Sequence, residues 1–155
     1  MAKANKFANG FLSVFKQYTE EVSEAIVDEV ESTANDGKEL LRQTLMPEAS
    51  KSGTANPIDR RTWKKYASSW YVKEKGGKDS NFVHCTIHNK NHYQLTHLLE
   101  YGHATRNGLR TREFRHIEPI SLYCENKLIK NIPEIIKKGG KLWTRKHYLI
   151  CCAQY

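Results

Sequence analysis

The feature that most constrains this chain is a stretch of forty residues, 6–45, with one apolar stripe and no proline. Phe11, Phe15, Tyr18, Val22, Ile26, Val30, Ala34, Leu41 and Leu45 recur at helical steps, with Gly37 standing inside the stripe. That is the 3.6-residue period of an amphipathic helix. Glu20, Glu21, Glu24, Asp28, Glu29 and Glu31 fall mostly off the stripe. Unbroken, such a helix is about 60 Å long at about 1.5 Å per residue. A small domain is narrower than that. Either one end projects, or the helix breaks where Asn35, Asp36 and Gly37 offer a weak point.

Downstream the pattern changes. Residues 46–62 hold two prolines, a glycine and several small polar residues, which reads as a mobile loop. Residues 66–74, centred on Trp70, Tyr71 and Val72, suit a strand, and 75–80 a turn. In 81–88, Val83, Cys85 and Ile87 alternate with more polar neighbours and are expected to face the core. The two segments form a β-hairpin. Asn89, Lys90 and Asn91 end it, and 92–101 reads as a short helix closed by Gly102. Residues 103–115 are a basic loop. Residues 118–138 read as a second long helix with Pro119 in its first turn, where proline is tolerated. Its stripe is Ile120, Tyr123, Cys124, Leu128 and Ile132, continued by Ile135 and Ile136. Pro133 should kink or restart it. Residues 139–155 read as an extension, either a final strand or an arm that packs on a neighbour. The expected class is α+β in a single domain. A small antiparallel sheet packs against a long N-terminal helix and a C-terminal helix, with a short helix between.

Composition narrows the function classes. With 155 residues, 27% charged and 39% hydrophobic, the chain can build a modest core and is not globally disordered. No apolar run approaches the roughly 20 residues of a membrane helix. The opening residues lead into no secretory stretch, so a soluble cytoplasmic product is expected. The formal net charge is +8, but it is uneven. Residues 1–62 carry eight basic and ten acidic groups, whereas 63–155 carry seventeen and seven. Such asymmetry fits a nucleic-acid or membrane surface. It fits equally a subunit that meets its own copies head to tail. Cys85, Cys124, Cys151 and Cys152 form no C-x-x-C pair and read as reduced thiols.

Candidate chemistry is thin. His84, His88, His92, His97 and His103 cluster in sequence, and His88 and His92 have the four-residue spacing of a helical ligand pair. Asn89, Lys90 and Asn91 between them look like a turn, and no carboxylate completes an H-E-x-x-H pattern. An H-N-H nuclease hairpin does not fit the spacing. His84 and Cys85 are adjacent in a strand and point to opposite faces, so they form no dyad. No nucleophile elbow, phosphate loop, dinucleotide fingerprint or kinase set is present. The loop with Arg106, Arg110, Arg112 and Arg115 is the best nucleic-acid candidate. It equally suits docking on an acidic protein face.

One run is more specific. Residues 93–110, Tyr-Gln-Leu-Thr-His-Leu-Leu-Glu-Tyr-Gly-His-Ala-Thr-Arg-Asn-Gly-Leu-Arg, are followed by Arg115, His116, Ile117, Glu118 and Pro119. This resembles the signature of the tailed-bacteriophage neck, or head–tail joining, family of tail components. Trp70 in the preceding strand and the amphipathic N-terminal helix are also similar. The resemblance covers roughly residues 6–138. The chain departs from the pattern where Leu109 stands for a second glycine and Arg115 for a proline.

The resemblance implies a small α+β virion subunit, assembled in the host cytoplasm, without enzymatic activity, metal or cofactor. It implies a homo-oligomeric ring of six or twelve copies between the portal-side connector, or head-completion proteins, and the tail terminator or tail tube. Transient contact with genome DNA in the channel is compatible with it, and no membrane is involved. The alternative is a basic DNA-binding accessory protein. Within the motif, Leu95, Leu98 and Leu99 are expected to anchor the short helix to the sheet. His97 and Glu100 are placed to pair or to cap the loop. Gly102 allows the helix exit and Gly108 the loop turn. His103, Arg106 and Arg110 hold the loop or meet an acidic partner, and His116 belongs to the element that follows.

Overall fold

The computed structural model describes residues 2–50, 60–77 and 82–139. The residues 140–155 of the expected extension lie outside that set, as do residues 51–59 and 78–81. The element order is α1 (Ala2–Ser50), α2 (Arg60–Ser68), β1 (Trp70–Gly76), β2 (Val83–Asn89), α3 (Tyr93–Tyr101) and α4 (Glu118–Lys137). The class is α+β, with α4 packed along α1. The described residues divide into two compact units, one formed by the first part of α1 up to Glu29 with the chain from Ile129, the other by Val30–Leu128.

In the larger unit the core is built from Leu41, Leu45, Trp63, Tyr66, Ala67, Trp70, Leu99 and Ile120. Ile87, Leu95, Phe114, Ile117 and Cys124 pack around it. β1 and β2 pair antiparallel, with Trp70 opposite Asn89, Tyr71 opposite His88 and Gly76 opposite Val83. Val83, Cys85 and Ile87 are half-buried while His84 and Thr86 are exposed, so the expected alternation holds. In the smaller unit Val27 and Ile135 are buried, and the pairs Tyr18–Ile136 and Glu29–Asn131 run in opposite order along α1 and α4, so the two helices are antiparallel. There Asn131 Nδ2 donates to Glu29 Oε1 at 2.8 Å, and Tyr18 Oη donates to the Ile136 carbonyl at 2.9 Å.

Several expectations are corrected. Of the two alternatives for the long helix, the break at Gly37 is not found, and α1 is continuous through it. A Cβ there would lie 2.6 Å from Cys124 Sγ and 3.0 Å from Ile87 Cδ1. The glycine therefore serves close approach of α4 and β2 to the helix, not a bend. α1 also runs through Pro47 to Ser50, and α2 begins at Arg60, so both ends of the expected loop 46–62 are helical. The expected strand 66–74 begins in a helix: residues 66–68 are the last turn of α2. The cause is the spacing of Trp63, Tyr66, Ala67 and Trp70, a one-faced helical set that buries all four. Lys75 and Gly76 are strand residues rather than turn. Pro133 lies inside α4 without restarting it. Finally, Phe11, Phe15 and Tyr18, expected on the buried face of α1, are 62%, 56% and 41% exposed. The stripe is covered only where α1 meets its neighbours.

Candidate functional site

Of the motif's residues, Glu100 and His116 meet at the joint between α3 and α4. α3 buries Leu99 in the core and packs Leu95 against it, while Leu98 is half-buried. That orientation turns Glu100, also buried, toward the start of α4. Its Oε2 accepts the backbone N–H of His116 and of Ile117, and its Oε1 accepts that of Glu118, each at 2.9 Å. Those of Ile117 and Glu118 are orphan donors of the helix N-terminus, where the helix dipole also favours negative charge. Glu100 therefore caps α4 from another helix. It does not pair with His97, which is exposed on α3.

His116 is sealed beside it. Nδ1 lies 2.7 Å from the Phe114 carbonyl and 3.0 Å from Glu100 Oε2, and Nε2 lies 2.6 Å from Tyr66 Oη. Nδ1 faces two acceptors and so carries the proton. Nε2 then accepts from the Tyr66 hydroxyl. Burial pushes the imidazole below its ordinary value, more than the Phe114 carbonyl and the Glu100 charge raise it. The contact with Glu100 is thus between a neutral ring and a carboxylate. Burial alone would raise the Glu100 carboxyl, but the three backbone N–H groups and His116 together hold it below the ordinary range. Tyr66 is pushed far up, first by burial and then by the Glu100 charge, and stays a donor.

Aromatic rings enclose this joint. Tyr66 stands edge-on to Trp70 and to His116, and Trp63 edge-on to Phe114. Trp63 Nε1 donates to the Leu45 carbonyl at 2.9 Å, which ties α2 to α1. Trp70 is buried, yet its Nε1 finds no acceptor among the described residues. Beside it, buried Asn89 links three elements. Its Nδ2 donates to the Tyr66 carbonyl, and its Oδ1 accepts from Ser69 Oγ and from the His92 N–H. Trp63, Tyr66 and Asn89 were not singled out from the sequence. The first two were legible in the helical spacing around Trp63. Asn89 carries in the sequence only the mark of a strand breaker.

After α3 the chain turns at Gly102, with φ 65° and ψ 161°, a conformation essentially reserved for glycine. Residues 103–111 then fold into a tight finger. Thr111 N–H donates to the His103 carbonyl at 2.9 Å, Thr105 N–H to the Leu109 carbonyl at 2.6 Å and Gly108 N–H to the Thr105 carbonyl at 3.0 Å. Ala104 and Arg110 form an isolated bridge. Gly108 has φ 77°, as the tip requires. His103 Nδ1 lies 3.1 Å from Thr111 Oγ1, so this histidine belongs to the finger's base. Arg106, Arg110 and Arg112 are exposed and carry no ion pair among the described residues. Arg115 instead bridges Glu113 and Glu118, at 3.4 and 3.1 Å. Leu109 at the tip is 70% exposed.

Between α3 and α4 lies an open groove of about 400 Å³. His97, Tyr101, Ile117, Leu122, Glu118 and Glu125 line it, together with the buried Glu100. Tyr101 and Leu122 are more than half exposed. No group of three or more His, Cys, Asp or Glu among the described residues is placed to hold a metal ion. The described Cys85 and Cys124 are free thiols, both pushed up chiefly by burial. No described helix is long and apolar enough to cross a membrane. Compared with known proteins, the chain matches no family model, no curated protein and no solved structure.

Proposed function

We propose that this chain is a non-enzymatic assembly subunit: a neck protein of a tailed bacteriophage, forming a ring between the portal-side connector and the tail. The observation that carries the reading is how the motif distributes its groups. Its versatile side chains, Glu100 and His116, are buried and spent on fastening α3 to α4. What the motif offers to solvent is an arginine-bearing finger and an apolar, acid-edged groove. A surface of that kind supports docking on a partner. Large exposed apolar side chains on the helices, Phe11, Leu12, Val14 and Phe15 among them, support the same reading.

Native mass spectrometry of the purified chain, alone and mixed with connector and tail-tube neighbours, tests it. A discrete ring in either sample is the expected result and gives the copy number. A monomer in both overturns the proposal. A second reading, DNA-binding accessory protein, draws on Arg106, Arg110 and Arg112. Its mark would be tight duplex binding by the monomer that weakens steeply as salt rises.

A further inference from the structure

We propose that the finger of one copy seats in the α3–α4 groove of a second copy, with Leu109 entering between Tyr101 and Leu122 while Arg106 and Arg110 face Glu118 and Glu125. This contact rests on the ring reading and gives it a specific interface. Within one copy the two surfaces are not in use: Leu109, Tyr101 and Leu122 are 70%, 68% and 56% exposed. The finger is held in shape by its own hydrogen bonds, so little ordering is left to be lost on docking. Its tip combines an apolar side chain with cations. A phosphate backbone would use the cations and leave the leucine in water. The groove answers both, because Tyr101, Ile117 and Leu122 line it beside the carboxylates of Glu118 and Glu125. Glu118 already holds Arg115, whereas Glu125 has no partner among the described residues.

Finger and groove are different patches, so a one-way contact is heterologous and repeats from copy to copy. Such contacts close into a ring when the rotation closes. Charge complementarity of this kind fixes register and excludes wrong partners more than it supplies affinity. Exposed apolar surface elsewhere would supply the rest.

The test is charge reversal with restoration, read by sedimentation velocity over a concentration series, with circular dichroism to verify folding. All four positions are exposed, so the variants should fold as the parent does. Arg106→Glu with Arg110→Glu should weaken assembly roughly tenfold or more, since like charges then face each other. Glu125→Arg alone should do the same. The chain carrying all three changes should regain assembly in part, since Glu118 still faces one of the two reversed positions. Leu109→Asp should weaken assembly, and Glu125→Arg should restore it only in part. If the parent assembles and the reversed finger assembles equally well, the contact is wrong while the ring reading stands. If each reversal weakens assembly but their combination restores nothing, the pairing is equally overturned. Should the reversed finger lose only retention on duplex DNA, the finger belongs to nucleic acid instead. A parent that is monomeric alone and with its neighbours overturns the ring reading and the contact together.

Discussion

Glu100 and His116 illustrate how burial decides what a reactive-looking residue does. A carboxylate with three backbone N–H donors and a neutral imidazole with a tyrosine donor are both satisfied, so both hold structure. Replacing Glu100 by Gln keeps the shape but points amide hydrogens at backbone donors. The expected cost is about 2–4 kcal/mol, read by urea unfolding. The pH dependence has a defined sign. Both groups have folded values below their ordinary ones of 6.5 and 4.5, so over the intervening range the unfolded chain binds more protons. The His116 contribution is therefore complete above about pH 6.5 and declines below it. The Glu100 contribution is complete above about pH 4.5 and is lost as pH falls through its folded value. Thermal midpoints measured from pH 8 to 4 should fall on acidification, and His116→Gln should flatten the part between pH 7 and 5. A flat parent profile over that part would show that the ring is not held neutral. Gly37 makes a second residue-scale case. Gly37→Ala gains up to about 1 kcal/mol of helix propensity but meets Cys124 Sγ, and overpacking of this kind costs roughly 1–3 kcal/mol. The variant should be less stable than the parent. Adding Cys124→Ala should recover part of the loss, and strict additivity of the two changes in a double-mutant cycle would refute the clash.

Between α3 and the finger, a single backbone position sets the geometry of the whole motif. A Cβ on Gly102 would lie 2.5 Å from the Thr111 carbonyl oxygen, and its φ is positive. Backbone strain of this type costs about 1–3 kcal/mol before the clash is counted. Gly102→Val should therefore lower the unfolding midpoint and abolish assembly by displacing the finger. Normal ring formation by that variant would show that the finger's position is unimportant. The same scale explains what the sequence made legible. The long helix, the alternation of β2, the short helix with its glycine exit and α4 all follow from periodicity and end signals, which are local. α2 was equally local, since Trp63, Tyr66, Ala67 and Trp70 share one face, but the aromatic run at Trp70 and Tyr71 pulled the reading toward a strand that starts four residues too early. The cap from Glu100 to α4 was not legible. It joins residues sixteen to eighteen positions apart through backbone donors that carry no sequence mark. Gly37 was visible in the stripe, but whether a glycine bends a helix or admits a neighbour depends on what packs there.

At the scale of the whole molecule, the described residues of the smaller unit carry apolar surface that packing among them leaves exposed. Phe11, Leu12, Val14 and Phe15 on α1 and Ile129 and Ile136 on α4 are all well exposed, and Phe11 and Phe15 stack on each other in solvent. A helix that kept this face for internal packing would bury it, as α1 does at Leu41 and Leu45 in the larger unit. The face is therefore expected to contribute to assembly rather than to folding. Phe11→Ser with Phe15→Ser separates the two roles, because serine and phenylalanine have similar helix propensities. Surface changes of this kind shift unfolding free energy by no more than about 0.5 kcal/mol. Burying two phenylalanines at an interface, in contrast, contributes roughly 3–6 kcal/mol. The double variant should thus unfold with the parent yet associate at least about a hundredfold more weakly. A variant that assembles like the parent but unfolds earlier would place the two phenylalanines in the fold's own support and remove this face from the assembly.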